Sequence, residues 1–516
     1  MKKNRRVLIG GAVAAYVLLL WVLVLAESAA PEEAGASITT MGKALWYSIV
    51  TITTVGYGDA FPVTGIGKII GALFLLMSAG ALTALISFGV SWFTGTGLPR
   101  FRIRRAGSRP IFIFNRADGA AMALAENILE ETPNALCLFS EPGGISAADP
   151  CRIGLEMPPD VLLNQLPRGA GRPTMVFTGA DAQEQLSRMG IPEGADVICQ
   201  SAGIPQTLRP GLRFFDRDSL CASMYWRRYP LKKDEKKVLL VGFGSLAREL
   251  LEQALLTNVL SPVRVNEYHV FGNAVDFLLD HPGLDGSVSI GRIAADRDSL
   301  ILHTEDWNGD EALLRSADRI LLCADDESRN TDLYRRLCTW FPVSATVHVY
   351  SSTMLTGDLP AFGTDKEIYT PEAVLRFGLE RMAMQLNENY RAACGGNAPK
   401  WEELTPFLRR SNMASADHLR TKLRFLLDDD SLTEFTAEQI REAYNRFLTL
   451  REQQPDLCRR IEHDRWVRFH AMYNWRYAPT RDNAQRLHPL MVPFDDLTLA
   501  DQAKDDYAWE LISSLI

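Results

Sequence analysis

The chain has no Cys-x-x-Cys pair among its eight cysteines. That argues against a zinc cluster or a disulfide framework, and fits reduced thiols in a cytoplasmic setting. It also lacks a basic balance. The net charge is -8 and the pI about 5.6, which argues against a general nucleic-acid binder. Beyond Pro99 no apolar run is long enough to span a bilayer, and no apolar run is studded with arginine, so a voltage-sensing helix is not expected. Hydrophobic and charged fractions of 47% and 23% are ordinary. The length of 516 residues leaves room for three or four domains.

What the chain does have is concentrated at its start. Residues 7–26 read VLIGGAVAAYVLLLWVLVLA, with no charge. As a helix, 20 residues cross roughly 30 Å of hydrocarbon. Residues 69–93 form a second uncharged run. The first run with its flanks, MKKNRR and LAESAA, also has the look of a signal peptide. Its length and the second run after it favour a retained helix. Lys2, Lys3, Arg5 and Arg6 precede the first run, and Arg100, Arg102, Arg104, Arg105 and Arg109 follow the second. Both termini are therefore expected on the cytoplasmic side, with Glu27, Glu32 and Glu33 outside.

Between the runs lies TITTVGYGDAFP, residues 51–62. It is too rich in glycine for a buried strand. At membrane depth, irregular backbone is tolerated only where protein buries it or a water-filled path runs past it. Residues 41–53 are too short to span but long enough for a half-helix leading into the loop. Gly56 and Gly58 sit two apart, and glycine takes left-handed backbone angles at no steric cost. Alternating hands would turn the carbonyls of Thr54, Val55, Gly56 and Tyr57 to one side. With the Thr54 hydroxyl they would replace the water shell of a cation. The half-helix would aim its negative end at the same path.

These residues resemble the two-transmembrane potassium channels of prokaryotes. TTVGYGD, residues 53–59, is that family's selectivity-filter signature, and the resemblance covers residues 7 to about 93. It implies a filter of Thr54, Val55, Gly56, Tyr57, Gly58 and Asp59 holding potassium ions through backbone carbonyls. It also implies a homotetramer, because one chain supplies one quarter of the ring. Trp46 matches the pore-helix tryptophan whose indole approaches Asp59, and Tyr57 is expected to pack among Trp46 and Tyr47. Val50 stands where some members carry a buried glutamate. Gly80 and Gly89 are candidate hinges of the inner helix. Their alternative is close helix packing through small residues such as Ser78, Ala79 and Gly80. A bacterial-type inner membrane is the implied location.

From Pro110 short apolar runs alternate with helical patterns, which predicts parallel α/β layers. IFIFN, ALCLFSE and TMVFTGADAQEQLSRMGIPEGADVICQS resemble the first Rossmann half of the regulator-of-K+-conductance domain. Its phosphate loop is missing, since NRADG follows IFIF. A second copy starts at Lys236 with KKVLLVGFGSLARELLEQAL. Gly242, Gly244 and Ala247 fit a dinucleotide turn, GxGxxG/A. The turn either binds a nucleotide such as NAD or ATP, or is kept for tight packing. Glu267 has roughly the spacing of the ribose-binding acid, unless its strand runs on through Phe271. Asp325 and Asp326 end a strand, where ligands gather or a solvated turn sits. Residues 371 to about 450 read as packing helices.

The tail from His463 resembles the ryanodine-receptor repeat domain, a small helical module. It matches at His463, Trp466, Trp475, Tyr477, Arg481, His488, Pro489, Pro493, Asp495 and Leu497. Trp466, Trp475, Tyr477, Arg481 and His488 would hold an anionic aromatic ligand, or else form a small aromatic core. The expected fold is thus a membrane α-helical pore domain (1–98), a basic linker (99–109) and two Rossmann-like domains (110–232 and 233–392). A helical connector (393–455) and a small all-α domain (456–516) complete it. The expected function is a tetrameric potassium channel, not an enzyme, gated by an intracellular small molecule through the segment from Gly95 to Arg109. A membrane-anchored NAD-dependent oxidoreductase is the alternative.

Overall fold

A computed structural model describes residues 2–94, 97–146, 149–167, 169–203, 211–353, 359–393 and 395–515. Gly95, the expected start of the linker, lies outside the described residues. The chain divides into two compact units, Met1–Ala106 with Ser146–Pro150, and Gly107–Ile145 with Cys151–Ile516.

The first unit is helical. Helices α1 (Lys2–Ser28), α2 (Met41–Ile52) and α3 (Gly65–Thr94) surround a small core of Leu20, Leu23, Ile38, Ala44, Ile70 and Phe74. Thr40 caps α2 by accepting the Lys43 amide. Glu27, in the segment expected on the outer side, is buried and tied to the start of α3. Its carboxylate accepts the Val63 amide at 2.9 Å, the Thr64 amide at 3.0 Å and the Thr64 hydroxyl at 2.6 Å. Two glycines let α3 approach so closely. A Cβ at Gly67 would lie 2.1 Å from the Glu27 Oε1, and one at Gly71 2.4 Å from the Tyr47 hydroxyl.

Among the described residues no helix is long and apolar enough to cross a membrane. Side chains are described in α1 from Ala14 and, without a break, in α3 from Gly65 to Ser78. Each stretch falls short of the roughly 20 residues a span needs. The expectation of two spans therefore rests on the runs 7–26 and 69–93 of the sequence alone.

The second unit contains two parallel sheets. The first joins β1 (Ile111–Phe114), β2 (Leu136–Phe139), β3 (Arg152–Gly154), β4 (Thr174–Phe177), β5 (Asp196–Gln200) and β6 (Leu212–Phe215). Their order is β3-β2-β1-β4-β5-β6, the doubly wound order with its switch point between β1 and β4. The second sheet joins β7 (Lys237–Val241), β8 (Glu267–Phe271), β9 (Ser289–Ile290), β10 (Ser299–His303), β11 (Arg319–Leu322), β12 (Thr346–Tyr350) and β13 (Ala361–Phe362). Its order, β13-β12-β11-β7-β8-β10-β9, repeats the same winding with one added edge strand. The strands read as short apolar runs because helices cover both faces of such sheets. One continuous core, from Phe114 and Phe139 through Trp226 to Leu250 and Val270, runs across both sheets. The indole of Trp226 donates to the Leu250 carbonyl at 2.9 Å.

Helices Pro406–Leu427, Ala437–Gln453 and Pro455–Met472 follow, packed around Leu419, Leu423, Phe447, Ile461 and Trp509. The tail is less purely helical than expected. Asn474 takes a φ of 63°, which turns the chain out of its helix, and β14 (Arg476–Tyr477) then pairs with β15 (Leu487–His488). The last long helix is bound firmly to the second sheet. Arg468 and Asp298, 3% and 4% exposed, pair at 2.8 Å. Asp298 also accepts the Asn266 amide at 2.7 Å. Asn474 accepts the Gly283 amide and donates to the Asp280 carbonyl, and His281 reaches the Met472 carbonyl at 2.7 Å.

Candidate functional site

The end of α2 sets up the loop that follows. The Val50 carbonyl accepts the amides of both Val55 and Gly56, at 3.0 and 3.2 Å, which pins the chain as it leaves the helix. From there the backbone alternates. Thr54, Gly56 and Gly58 have φ of 60°, 62° and 74°, and Val55 and Tyr57 between them are not left-handed. Thr54 is the surprise, since a β-branched residue takes this region at a cost. A Cβ at Gly56 or Gly58 would meet nothing within 4 Å. Glycine is needed there for the hand of the backbone, not for space.

Aromatic bracing holds this strained run. The Trp46 indole donates to Asp59 Oδ2 at 2.8 Å. Tyr57 stacks on Trp46 with centroids 5.9 Å apart and planes within 2°. Residues 53–59 all remain exposed in the single chain. Gly80 and Gly89 lie in an unbroken α3. A Cβ at either would meet nothing within 4 Å of this chain.

Residues 7–95 match a family described as ion channel. Part of the chain also aligns with individual relatives. It is similar to a voltage-gated potassium channel of Aeropyrum pernix, 50% identical over 54 residues, 10% of this chain and 18% of that one. It is similar to the Shal potassium channel of Drosophila melanogaster, 32% identical over 117 residues, 19% of this chain and 20% of that one. A human relative, potassium voltage-gated channel subfamily A member 7, is 44% identical over 52 residues, 10% of this chain and 11% of that one. The chain thus spans a fifth or less of the length of these relatives, all of them channels and none an enzyme. Among solved structures, the GsuK channel gives a TM-score of 0.39 at 13% identity, covering 73% of this chain and 99% of that one. A GsuK channel bound to NAD gives 0.37 at 11%, covering 75% and 86%. Both likenesses are slight.

Within the matched residues the irregular loop follows α2, as the sequence pattern suggested; the nucleotide turn is different. Gly242 has a φ of 90°, and a Cβ there would lie 2.7 Å from the backbone of Ala324. A Cβ at Gly244 would lie 2.0 to 2.2 Å from the carboxylate of Asp325. These glycines admit the segment after β11, which is the packing alternative. Asp325 therefore stands beside Gly244, where a phosphate would approach the backbone, and a second carboxylate, Asp218, accepts the Ser245 hydroxyl at 2.6 Å. Ala247 is buried in the core. Glu267 opens β8 instead of ending it, because the strand runs on to Phe271. It lies at the amino edge of the sheet, 3.6 Å from the Lys237 ammonium, away from any ribose. Asp326 caps the helix Glu327–Trp340 through the Ser328 amide at 3.1 Å.

The first copy has filled its own crevice. Asn115 bridges the switch point, accepting the Thr178 amide and donating to the Thr178 carbonyl. Asp118 caps the helix Gly119–Glu131, and Arg116 pairs with Asp181 over Gly179.

In the tail, the structure brings together Trp466, Trp475 and His488 but not Tyr477. Trp466 meets His488 at 4.9 Å and His470 at 3.8 Å. Trp475, 5% exposed, stacks on Phe407 at 5.1 Å. Its face is thus covered by the helix Pro406–Leu427. Burial pushes His470 down to about 3 and His488 to about 4, with Arg481 adding to both shifts. The imidazoles are neutral near pH 7, and Leu490 donates its amide to His488 Nδ1 at 3.1 Å. Tyr477 and Arg481 stay outside, Arg481 bonded to Asn483. Phe407 and His470 were not among the expected residues. His470 follows Trp466 by one helical turn, a spacing visible in the sequence; Phe407 carries no such signal.

Proposed function

We propose that the chain is a subunit of a homotetrameric, potassium-selective channel of a bacterial-type inner membrane, with both termini cytoplasmic. The observation that carries this reading is the alternation of backbone hand at Thr54, Gly56 and Gly58, braced by Trp46 on Asp59 and Tyr57. Such a run lines up carbonyls on one side, and four copies around an axis would close a ring that replaces water around a dehydrated cation. The ion-channel match and the potassium channels among the relatives support it. The parallel sheets of the second unit form the regulatory part, and a small molecule that prefers one of their conformations shifts the pore between closed and open.

The chain is not an enzyme on this reading. The oxidoreductase alternative needs a dinucleotide in the second crevice. There Asp325 stands at the phosphate position and Glu267 lies at the wrong edge of the sheet. Liposomes carrying the purified protein are expected to pass potassium with strong preference over sodium. Equal flux of the two ions overturns the reading, as does a mass of two chains by light scattering in detergent.

A further inference from the structure

The carboxyl edge of the second sheet holds a cavity of ≈ 430 Å³. It is separate from the glycine turn. Its walls are the loop after β10, with Asp306 and Trp307, and the helix Glu327–Trp340, with Arg329, Leu333 and Arg336. Positions 329, 333 and 336 share one helix face by their spacing. The volume suits a small metabolite. The carboxyl edge is where doubly wound sheets bind ligands, because the helices that follow the strands start there.

The charges around this cavity are unequally committed. Asp332 is held by Arg335 at 3.2 Å. Asp326 is held by the amide and hydroxyl of Ser328 at 3.1 and 2.7 Å. Neither Arg329 nor Arg336 has a side-chain hydrogen bond or ion pair among the described residues. Arg336 lies over the buried ring of Trp307 at 5.7 Å, and Trp307 is itself fixed against Phe341. A guanidinium laid on an indole is oriented by it and keeps its N–H fork free at the rim. Leu333, 4% exposed, gives an apolar floor. An anion entering here meets two guanidiniums free of hydrogen bonds, Arg329 acting electrostatically on Asp326, and must be gripped tightly enough to offset the lining carboxylates of Asp306, Asp326 and Asp332.

We propose that this cavity takes a small organic anion bearing phosphate or carboxylate groups, gripped between Arg329 and Arg336. The site rests on the channel reading only for its regulatory role. The binding itself is independent of it. The ligand is fork-bonded by both arginines, so each should count strongly and separately.

The test is calorimetric titration of the full-length protein in detergent with adenosine monophosphate and, separately, with citrate. At least one of the two is expected to bind, and which one tells phosphate from carboxylate recognition. Arg329→Gln and Arg336→Gln are each expected to weaken that binding tenfold or more. Arg335→Gln, whose guanidinium serves Asp332, should leave it unchanged. Arg336→Lys keeps the charge but not the fork, and is expected to fall between wild type and Arg336→Gln. It carries the test if a glutamine variant does not fold. Absence of binding by both probes, or binding indifferent to Arg329 and Arg336, overturns the proposal. Ion flux from the same preparation keeps the readings apart. Selective potassium flux without binding overturns only the cavity, and binding without selectivity overturns only the channel.

Discussion

Two glycine turns in this molecule look alike on paper and differ in what glycine does for them. In the loop after α2, Gly56 and Gly58 have positive φ and open space where a Cβ would sit. In the turn after β7, a Cβ at Gly242 would strike Ala324 and one at Gly244 would strike Asp325. The first pair is required by the hand of the backbone, which is how a run of carbonyls is turned to one side. The second pair is required by the neighbour packed against it, Gly242 by its positive φ as well. A glycine motif therefore carries function only when the reason for the glycine is the one the function needs. The run after α2 has glycine for the reason that the proposed filter needs. The nucleotide turn does not, and its place beside a carboxylate makes it a poor seat for phosphate.

The largest effect expected is at Gly56. Gly56→Ala should abolish potassium flux, because an L side chain resists the left-handed region. A D-alanine introduced there by semisynthesis should conduct, since that hand is natural to it and the space is open. Flux through the L-alanine variant would break the comparison from the filter side.

A smaller effect, read as stability, is expected at the other turn. Gly242→Ala combines positive φ with a backbone collision and should cost about 2–3 kcal/mol in the unfolding of the second unit. Gly244→Ala meets only the end of an exposed aspartate side chain, which can swing away. It should cost less than about 1 kcal/mol. Denaturant melts of the two variants give the order directly; equal losses would mean that the collision at Gly244 is not relieved.

The two units should also differ in their response to pH. All eight histidines lie in the second unit. Burial holds His418 and His470 at about 3 and His488 at about 4. Below pH 6.5 the unfolded chain takes up protons that these folded rings refuse. Stability from them is full above that value and is lost as pH falls towards 4. His463 opposes this. Burial works against its charge, but bonds to Asp505 and the Val492 carbonyl carry it upward. Burial also holds His348 down to about 3 and His269 to about 4 and lowers His303, so six rings against one leave a net loss on acidification. Melting followed by tryptophan fluorescence between pH 7.5 and 5 should show the second unit weakening; a flat profile would mean that these rings titrate normally.

The geometry of residues 53–59 was legible because it is local: consecutive residues after one short helix set the alternating backbone, and Trp46 reaches Asp59 within one short loop. The parallel sheets were legible for the same reason, since each strand is a short apolar run between turns. The place of Glu267 was not, because it opens a strand that runs on to Phe271, and the sequence does not mark where that strand begins. Nor was the burial of Trp475, which depends on Phe407 from a helix more than sixty residues earlier. The Arg468–Asp298 pair joins parts of the chain that the sequence presents as separate modules. Cutting at residue 454 would remove Arg468 and strand a buried aspartate, so truncation is a harsher operation than the removal of a sensor.

Gly67 and Gly71 have a mechanical meaning. At these points α3 touches Glu27 of α1 and Tyr47 of α2 with no side chain between them. That end of α3 is clamped at three places within about two turns, counting the Phe74 core contact. Further along, a Cβ at Gly80 or Gly89 would meet nothing within 4 Å among the described residues. A rod held at one end in this way bends as a cantilever does, so a load applied beyond the clamp would tilt the rest of α3 while the clamped turns keep their place.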